Sequence, residues 1–272
     1  MDNTKTRVLV AVATIPLIVG ACYFGNVYFF LFATLIGLVS FYEFYIMAQN
    51  KSIQVNLPFG LIAILILLVN QYFHFFDTYS FLIIFVFLTS LIELFRNNGS
   101  AIYNIGATLF GIFYIGLFSA SLVAIREFYP NIGTLYEHGG FLIISILVTI
   151  WICDSAAYFG GLSLGKHKLF PRVSPKKSWE GAIFGFVFAL LTMTAAHYLV
   201  LNFLSLGEAL IIGLIIGTVG QVGDLVESLI KRDAEVKDSS SLIPGHGGIF
   251  DRFDSLLFSA PIILLFLKYV GR

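Results

Sequence analysis

Nine long apolar runs joined by short polar connections leave this 272-residue chain little choice of fold. Bilayer hydrocarbon offers no water to backbone N–H and C=O groups, so a lipid-spanning run of about 20 apolar residues satisfies them internally as a helix. The runs fall at roughly 8–24, 27–47, 58–74, 79–95, 104–126, 141–160, 181–204, 207–230 and 252–270. The third and fourth are short, which leaves tilt, re-entry or displaced ends open. With 58% apolar and 12% charged residues, the chain holds far more apolar side chains than one soluble core could use. The expected fold is an all-α, polytopic integral membrane protein with about nine transmembrane helices. No soluble domain or linker interrupts it. We read 1–272 as a single helical membrane domain, with 1–140 as lipid-facing scaffold and 141–272 as the half that carries the chemistry.

Charge placement tests the span count. Numbering the connections alternately puts Lys5, Arg7, Lys51, Arg96, Lys166, Lys168, Arg172, Lys176, Lys177, Lys231, Arg232, Lys237 and Arg252 on one side. Only Arg126, Lys268 and Arg272 fall on the other. A missed span before the last loops would mix the two sets, so the N-terminus and both basic loops are expected to be cytoplasmic. Lys5 and Arg7 precede the first run as in a signal peptide, but no small-residue cleavage site follows, and the run reads as a retained helix. Cys22 and Cys153 lie inside apolar runs and read as small buried residues. Glu43 and Glu93, near span ends, are expected to be solvated at the interface, with a role in a lipid headgroup pocket as the alternative, and His138 in an outer loop is expected to be solvated. A nucleic-acid partner is not expected.

The polar residues concentrate in Gly223–Ser255, which holds seven of the sixteen acidic residues between apolar runs. Charge at a membrane boundary is costly unless it binds something. On a helix, Asp224, Glu227, Ser228 and Lys231 share one face. Asp224 and Ser228 present hard oxygen ligands one turn apart, which suits Mg²⁺. Pro244-Gly245-His246-Gly247-Gly248 cannot continue that helix, and its glycines would let backbone N–H groups approach an anion. Asp251, Arg252 and Asp254 then open the last helix. Upstream, Asp154 and Tyr158 lie one turn apart in an otherwise apolar run, so Asp154 reads as an active-site carboxylate. The loop after it holds five cations and ends in Ser174-Pro-Lys176-Lys177-Ser-Trp-Glu-Gly181, two lysines at a helix start that favours phosphate. Gly213, Gly217, Gly220 and Gly223 are spaced for close helix packing around Asp224.

The run Ser228-Leu-Ile-Lys-Arg, Lys237-Asp-Ser-Ser240 and Leu242-Ile-Pro-Gly-His-Gly-Gly-Ile-Phe-Asp-Arg-Phe-Asp254 resembles, without a gap, the signature of phosphatidate cytidylyltransferases (CDP-diacylglycerol synthases). The Ser174–Gly181 segment looks like a second motif of that family. Together they cover most of 150–272. The chain also contains His138-Gly139-Gly140 with none of the surrounding residues, so a bare HGG carries no weight.

The resemblance implies CTP + phosphatidate → CDP-diacylglycerol + pyrophosphate, with Mg²⁺ as cofactor, in a bacterial-type inner membrane with the active-site loops on the cytoplasmic side. It also implies a homodimer. It makes Asp224, Ser228 and Asp251 the candidate metal ligands, with Asp154 and Asp254 next and Glu227 in support. The candidates for phosphate contacts are Lys176, Lys177, Lys231, Arg232, Lys237 and Arg252, along with Ser174, the Gly245, Gly247 and Gly248 amides and His246. Asp224, Asp251, Lys231, Arg252 and Asp154 are the expected catalytic set. The alternatives are a transferase acting on an isoprenoid lipid phosphate, a CTP-dependent lipid kinase and, from another class, a transporter. No internal repeat supports the transporter.

Overall fold

The computed structural model describes residues 3–242 and 247–271, with the side chains of residues 3–9 and 11 outside that description. Among the described residues, nine helical segments coincide with the nine apolar runs. They are α1 (Asn3–Phe24), α2 (Asn26–Asn50), α3 (Leu57–Phe73), α4 (Thr78–Arg96), α5 (Ala101–Arg126), α6 (Leu135–Leu164), α7 (Trp179–Leu199), α8 (Leu206–Asp233) and α9 (Phe250–Tyr269). Six of them, α2 and α4 to α8, are long and apolar enough to cross a membrane. Two contain a π-helical stretch, Ile112–Leu117 in α5 and Ile216–Gly220 in α8.

The chain divides into two compact units. The first comprises α1 up to Ile18, Asn26–Ala124 and Ile230–Phe253. In it, α2 and α3 pack on the π stretch of α5, and α4 packs on the start of α5. Helix α5 is mostly buried and α4 mostly exposed, as expected of a central and a lipid-facing helix.

The second unit comprises Val19–Gly25, Ile125–Leu229 and the chain from Asp254. Its centre is the pairing of α6 with α7. Glycines make that close approach possible: a Cβ at Gly185 would lie 3.0 Å from the Cys153 carbonyl, and one at Gly181 2.6 Å from that of Ala157. The spacing of glycines in α8 serves the same end. Gly213 and Gly217 pack on Ala189 and Phe186 of α7, and Gly223 lies against Phe258 of α9.

One departure from an all-helical chain lies between α6 and α7. Strands β1 (Lys168–Phe170) and β2 (Ser174–Ser178) form an antiparallel hairpin, pairing Lys168 with Ser178 and Phe170 with Ser174. Pro171 and Pro175 prevent the helix from continuing, and the extended chain finds its hydrogen bonds across the hairpin instead. Trp179 N–H closes it on the His167 carbonyl (2.9 Å). Ser178 then caps α7, its Oγ accepting from Gly181 N at 3.2 Å.

Burial corrects two surface expectations, those for His138 and Glu93, and encloses Arg126 as well. Arg126 is 0% exposed, and its guanidinium donates to the carbonyls of Cys22 (2.6 Å), Tyr23 (2.8 Å) and Tyr136 (3.2 Å). His138 is half-buried and stacks on Phe203 with ring centroids 3.9 Å apart. Glu93 is buried and accepts from Asn104 Nδ2 at 2.6 Å. Protein donors and rings replace water at each. Gly139, in the isolated HGG, is required by packing, because a Cβ there would overlap the Arg126 carbonyl. We expect Gly139→Ala to destabilise the protein by about 1–3 kcal/mol through overpacking. Gly20→Ala, with nothing within 4 Å of the new methyl, should leave the thermal unfolding midpoint in detergent unchanged.

Candidate active site

Many of the residues singled out by sequence fall into two networks, one in each unit. In the second unit α8 presents Asp224, Glu227 and Ser228, and α9 presents Asp254. One carboxylate oxygen from each of Asp224, Glu227 and Asp254 lies within 4.8 Å of the other two. Glu227 and Asp254 are buried, and Ser228 Oγ is 3.4 Å from Asp224 Oδ1. Three carboxylates this close repel one another, and hard oxygen donors so grouped fit a divalent cation such as Mg²⁺.

The protein brings its own cation to the cluster, since Lys177 Nζ contacts Asp224 Oδ2. Lys177 lies in β2, one residue before the cap of α7, so the hairpin is what aims it. Asp154 on α6 is exposed in the chain alone, yet lies within electrostatic reach of Asp254, together with Asp224 and Lys177. Lys177 of the hairpin thus meets Asp224, beside Asp254, with Asp154 of α6 within electrostatic reach.

The π stretch Ile216–Gly220 precedes this face of α8, and such stretches leave backbone carbonyls without their usual partner. Gln221 Nε2 donates to the Gly217 carbonyl (2.6 Å) and to the Ala182 carbonyl in the first turn of α7 (3.0 Å). It pins α8 to α7 one turn before Asp224. Sequence reading missed Gln221, and periodicity holds no sign of the widened turn.

The first unit holds the other network. Asp251 Oδ1 is 2.6 Å from Lys231 Nζ. Asp251 Oδ2 accepts from the backbone N–H groups of Ser239 (2.9 Å) and Gly248 (2.8 Å), and Ser239 Oγ lies 2.9 Å away. Two expectations change here. Lys231, a candidate for phosphate, pairs with Asp251, and the Gly248 amide donates to Asp251 rather than standing open to an anion. Gly247 adopts φ +82°, and a Cβ there would lie 2.7 Å from Asp251 Oδ2, so this glycine serves the wrapping of a carboxylate. Gly245 and His246 lie outside the described residues.

Glu43, expected at a solvated interface, is 1% exposed and lies in this network. It accepts from Ser240 Oγ, Ile249 N and Phe250 N at 2.6–3.0 Å. The remaining candidates are outward-facing. Lys176, Arg232, Lys237 and Arg252 are exposed, Ser174 is half-buried in β2, and Arg232 donates to the Val236 carbonyl (2.9 Å).

With this arrangement in view, comparison with known proteins is decisive. The chain matches the cytidylyltransferase family over residues 5–270. It belongs to the cytidylyltransferase family. It is 33% identical over 272 residues to a phosphatidate cytidylyltransferase of Bacillus subtilis (strain 168), covering 98% of each chain. A phosphatidate cytidylyltransferase of Staphylococcus haemolyticus is 31% identical, covering 97% of this chain and 98% of that one. One of Haemophilus influenzae is 47% identical over 139 residues, about half of each chain. Membership of the cytidylyltransferase family therefore covers the N-terminal helices as well as the half that carries the motifs.

The Lys231–Asp251 pair of this cytidylyltransferase is buried, with side chains 11% and 4% exposed, whereas Lys51–Glu235 is 35% and 82% exposed. Removing one partner of a buried pair costs about 3–5 kcal/mol, against about 0–1 kcal/mol for an exposed pair. Lys231→Met should accordingly lower the thermal unfolding midpoint in detergent well below that of Lys51→Met.

Proposed function

We propose that this protein uses the two networks to carry out cytidylyl transfer to a membrane lipid. It is a nucleotidyltransferase that converts CTP and phosphatidate into CDP-diacylglycerol and pyrophosphate. The meeting of Lys177 with the Asp224, Glu227 and Asp254 carboxylates carries this reading, because it puts a cation and a set of hard oxygen donors where motifs of a cytidylyltransferase converge.

A phosphate oxygen of phosphatidate attacks the α-phosphorus of CTP. The new P–O bond forms as the bond to the β-phosphate breaks, and pyrophosphate carries away the electron pair. The nucleophile is already anionic, so no strong general base is required. The enzyme's task is to bring polyanions together and neutralise charge. Asp224 and Ser228, with Asp254 beside them, would hold Mg²⁺, while Asp251, the third expected ligand, lies in the other network. When bound, Mg²⁺ would offset phosphate charge and stabilise the leaving pyrophosphate. Lys176 and Lys177 receive phosphate oxygens from the hairpin, and Arg232, Lys237 and Arg252 from the other motif. Lys177 leaves Asp224 for phosphate as the site fills.

Between α6 and α7 runs an apolar groove of about 400 Å³, lined by Ile152, Phe159, Phe184 and Phe188 and including Ser155 and Ser163. Its wall begins next to Asp154, which favours it as the acyl-chain path. The full reading has nine spans, a cytoplasmic N-terminus and cytoplasmic motif loops in a bacterial inner membrane, with a homodimer as the working assembly.

The test uses purified protein, phosphatidate, Mg²⁺ and CTP labelled at the α- or the γ-phosphate. We expect α-label in the lipid with pyrophosphate released, and its loss below detection in Asp224→Ala and Asp251→Ala. Label from the γ-position in the lipid, with CDP released, would mean lipid kinase chemistry instead.

A further inference from the structure

We propose that Glu43, on a helix outside both motifs, is a positioning residue that sets the loop carrying Asp251. The inference rests on the reading of that loop as part of the transfer site. Glu43 is 1% exposed, and both its carboxylate oxygens are engaged by the loop. Oε1 accepts from Ser240 Oγ (2.6 Å) and from Ile249 N (3.0 Å). Oε2 accepts from Phe250 N (2.8 Å) and lies 3.0 Å from Ser239 Oγ. Ile249 directly precedes α9 and Phe250 opens it, at the end where N–H groups have no partner within the helix. Glu43 therefore caps α9 from α2, with its charge at the favourable end of the helix dipole.

The link to Asp251 runs through Ser239. Its Oγ lies 3.0 Å from Glu43 Oε2 and 2.9 Å from Asp251 Oδ2, so one hydroxyl proton serves two carboxylates. Gly248 closes the arrangement, since a Cβ there would overlap Ser239 Oγ and both Glu43 oxygens. The loop is thus wrapped on Glu43 from one side and on Asp251 from the other, and moving Glu43 frees the groups that orient Asp251.

Glutamine has the same shape but cannot do the same work. Whichever way its amide is turned, the NH₂ group meets a backbone N–H, that of Ile249 or that of Phe250, and neither can rotate to accept. A serine hydroxyl could adapt; a peptide N–H cannot. Glu43→Gln should therefore loosen the loop while leaving packing volume intact.

The experiment compares wild type, Glu43→Gln, Ser239→Ala and the double variant, with rates normalised to folded protein recovered by size exclusion. Expected for Glu43→Gln is a fall in kcat of about 10- to 100-fold, the scale of a small misplacement, with KM for CTP and for phosphatidate shifted far less. The double variant should fall well short of the product of the two single losses, because both act through one hydroxyl. Amide exchange of the substrate-free proteins gives a readout independent of activity. Glu43→Gln should speed exchange in peptides covering 239–242 and 247–251 and nowhere else. Wild-type kcat in Glu43→Gln, independent multiplying losses, or exchange raised along the whole chain would each overturn the proposal. If wild type itself makes no CDP-diacylglycerol, the functional reading fails, and the exchange pattern alone still decides whether Glu43 anchors the loop.

Discussion

A buried carboxylate is tolerated only where donors surround it, and the segments that carry Glu43 and Asp251 are arranged to meet that demand. Asp251 takes an ammonium, two peptide N–H groups and a share of a hydroxyl; Glu43 takes two peptide N–H groups, one hydroxyl and the other share. Nearly all of these donors come from one loop and the helix end that follows it. The loop needs small residues to fold back so tightly, which is why Ser239, Gly247 and Gly248 stand where they do. A side chain at either glycine would enter the space of a carboxylate or of the serine between them. The composition of the motif thus has a structural explanation apart from any ligand.

The second unit meets a related demand differently. Asp224, Glu227 and Asp254 are held close by helix packing that glycines permit, and Gln221 secures α8 on α7 across a widened turn. Their mutual repulsion is the cost of the arrangement, and cations offset it. Lys177 supplies such a cation, delivered by the hairpin between α6 and α7. Lys177 is only partly buried, so under the proposed function its contact with Asp224 is suited to exchange for one with phosphate.

Much of this was legible in the chain itself. Apolar run length marked the places of the nine helical segments found among the described residues, six of them long and apolar enough to cross a membrane. The order of residues from Ser228 to Asp254, together with Ser174–Gly181, marked the region where the polar groups gather and pointed to the family. Periodicity put Asp224, Glu227 and Ser228 on one face of a helix, and glycine spacing announced the close packing of α8. These are local properties, carried by neighbours within a few turns.

What only the tertiary structure decided is the choice of partner over long separations. Nothing near Glu43 in sequence says that it meets Ser239, Ser240 and the start of α9, and a lone glutamate at the end of an apolar run reads most simply as solvated. Lys231 and the Gly248 amide looked free for phosphate until Asp251 was seen to occupy them. His138 looked like a surface residue until Phe203 was seen to stack on it, and the backbone carbonyls that enclose Arg126 come from distant segments. The sequence by itself determined which segments are helices, because backbone pairing in lipid is a local requirement. Which buried charge each donor serves was decided by the packing of helices far apart in the chain, because a hydrogen bond depends on position in space.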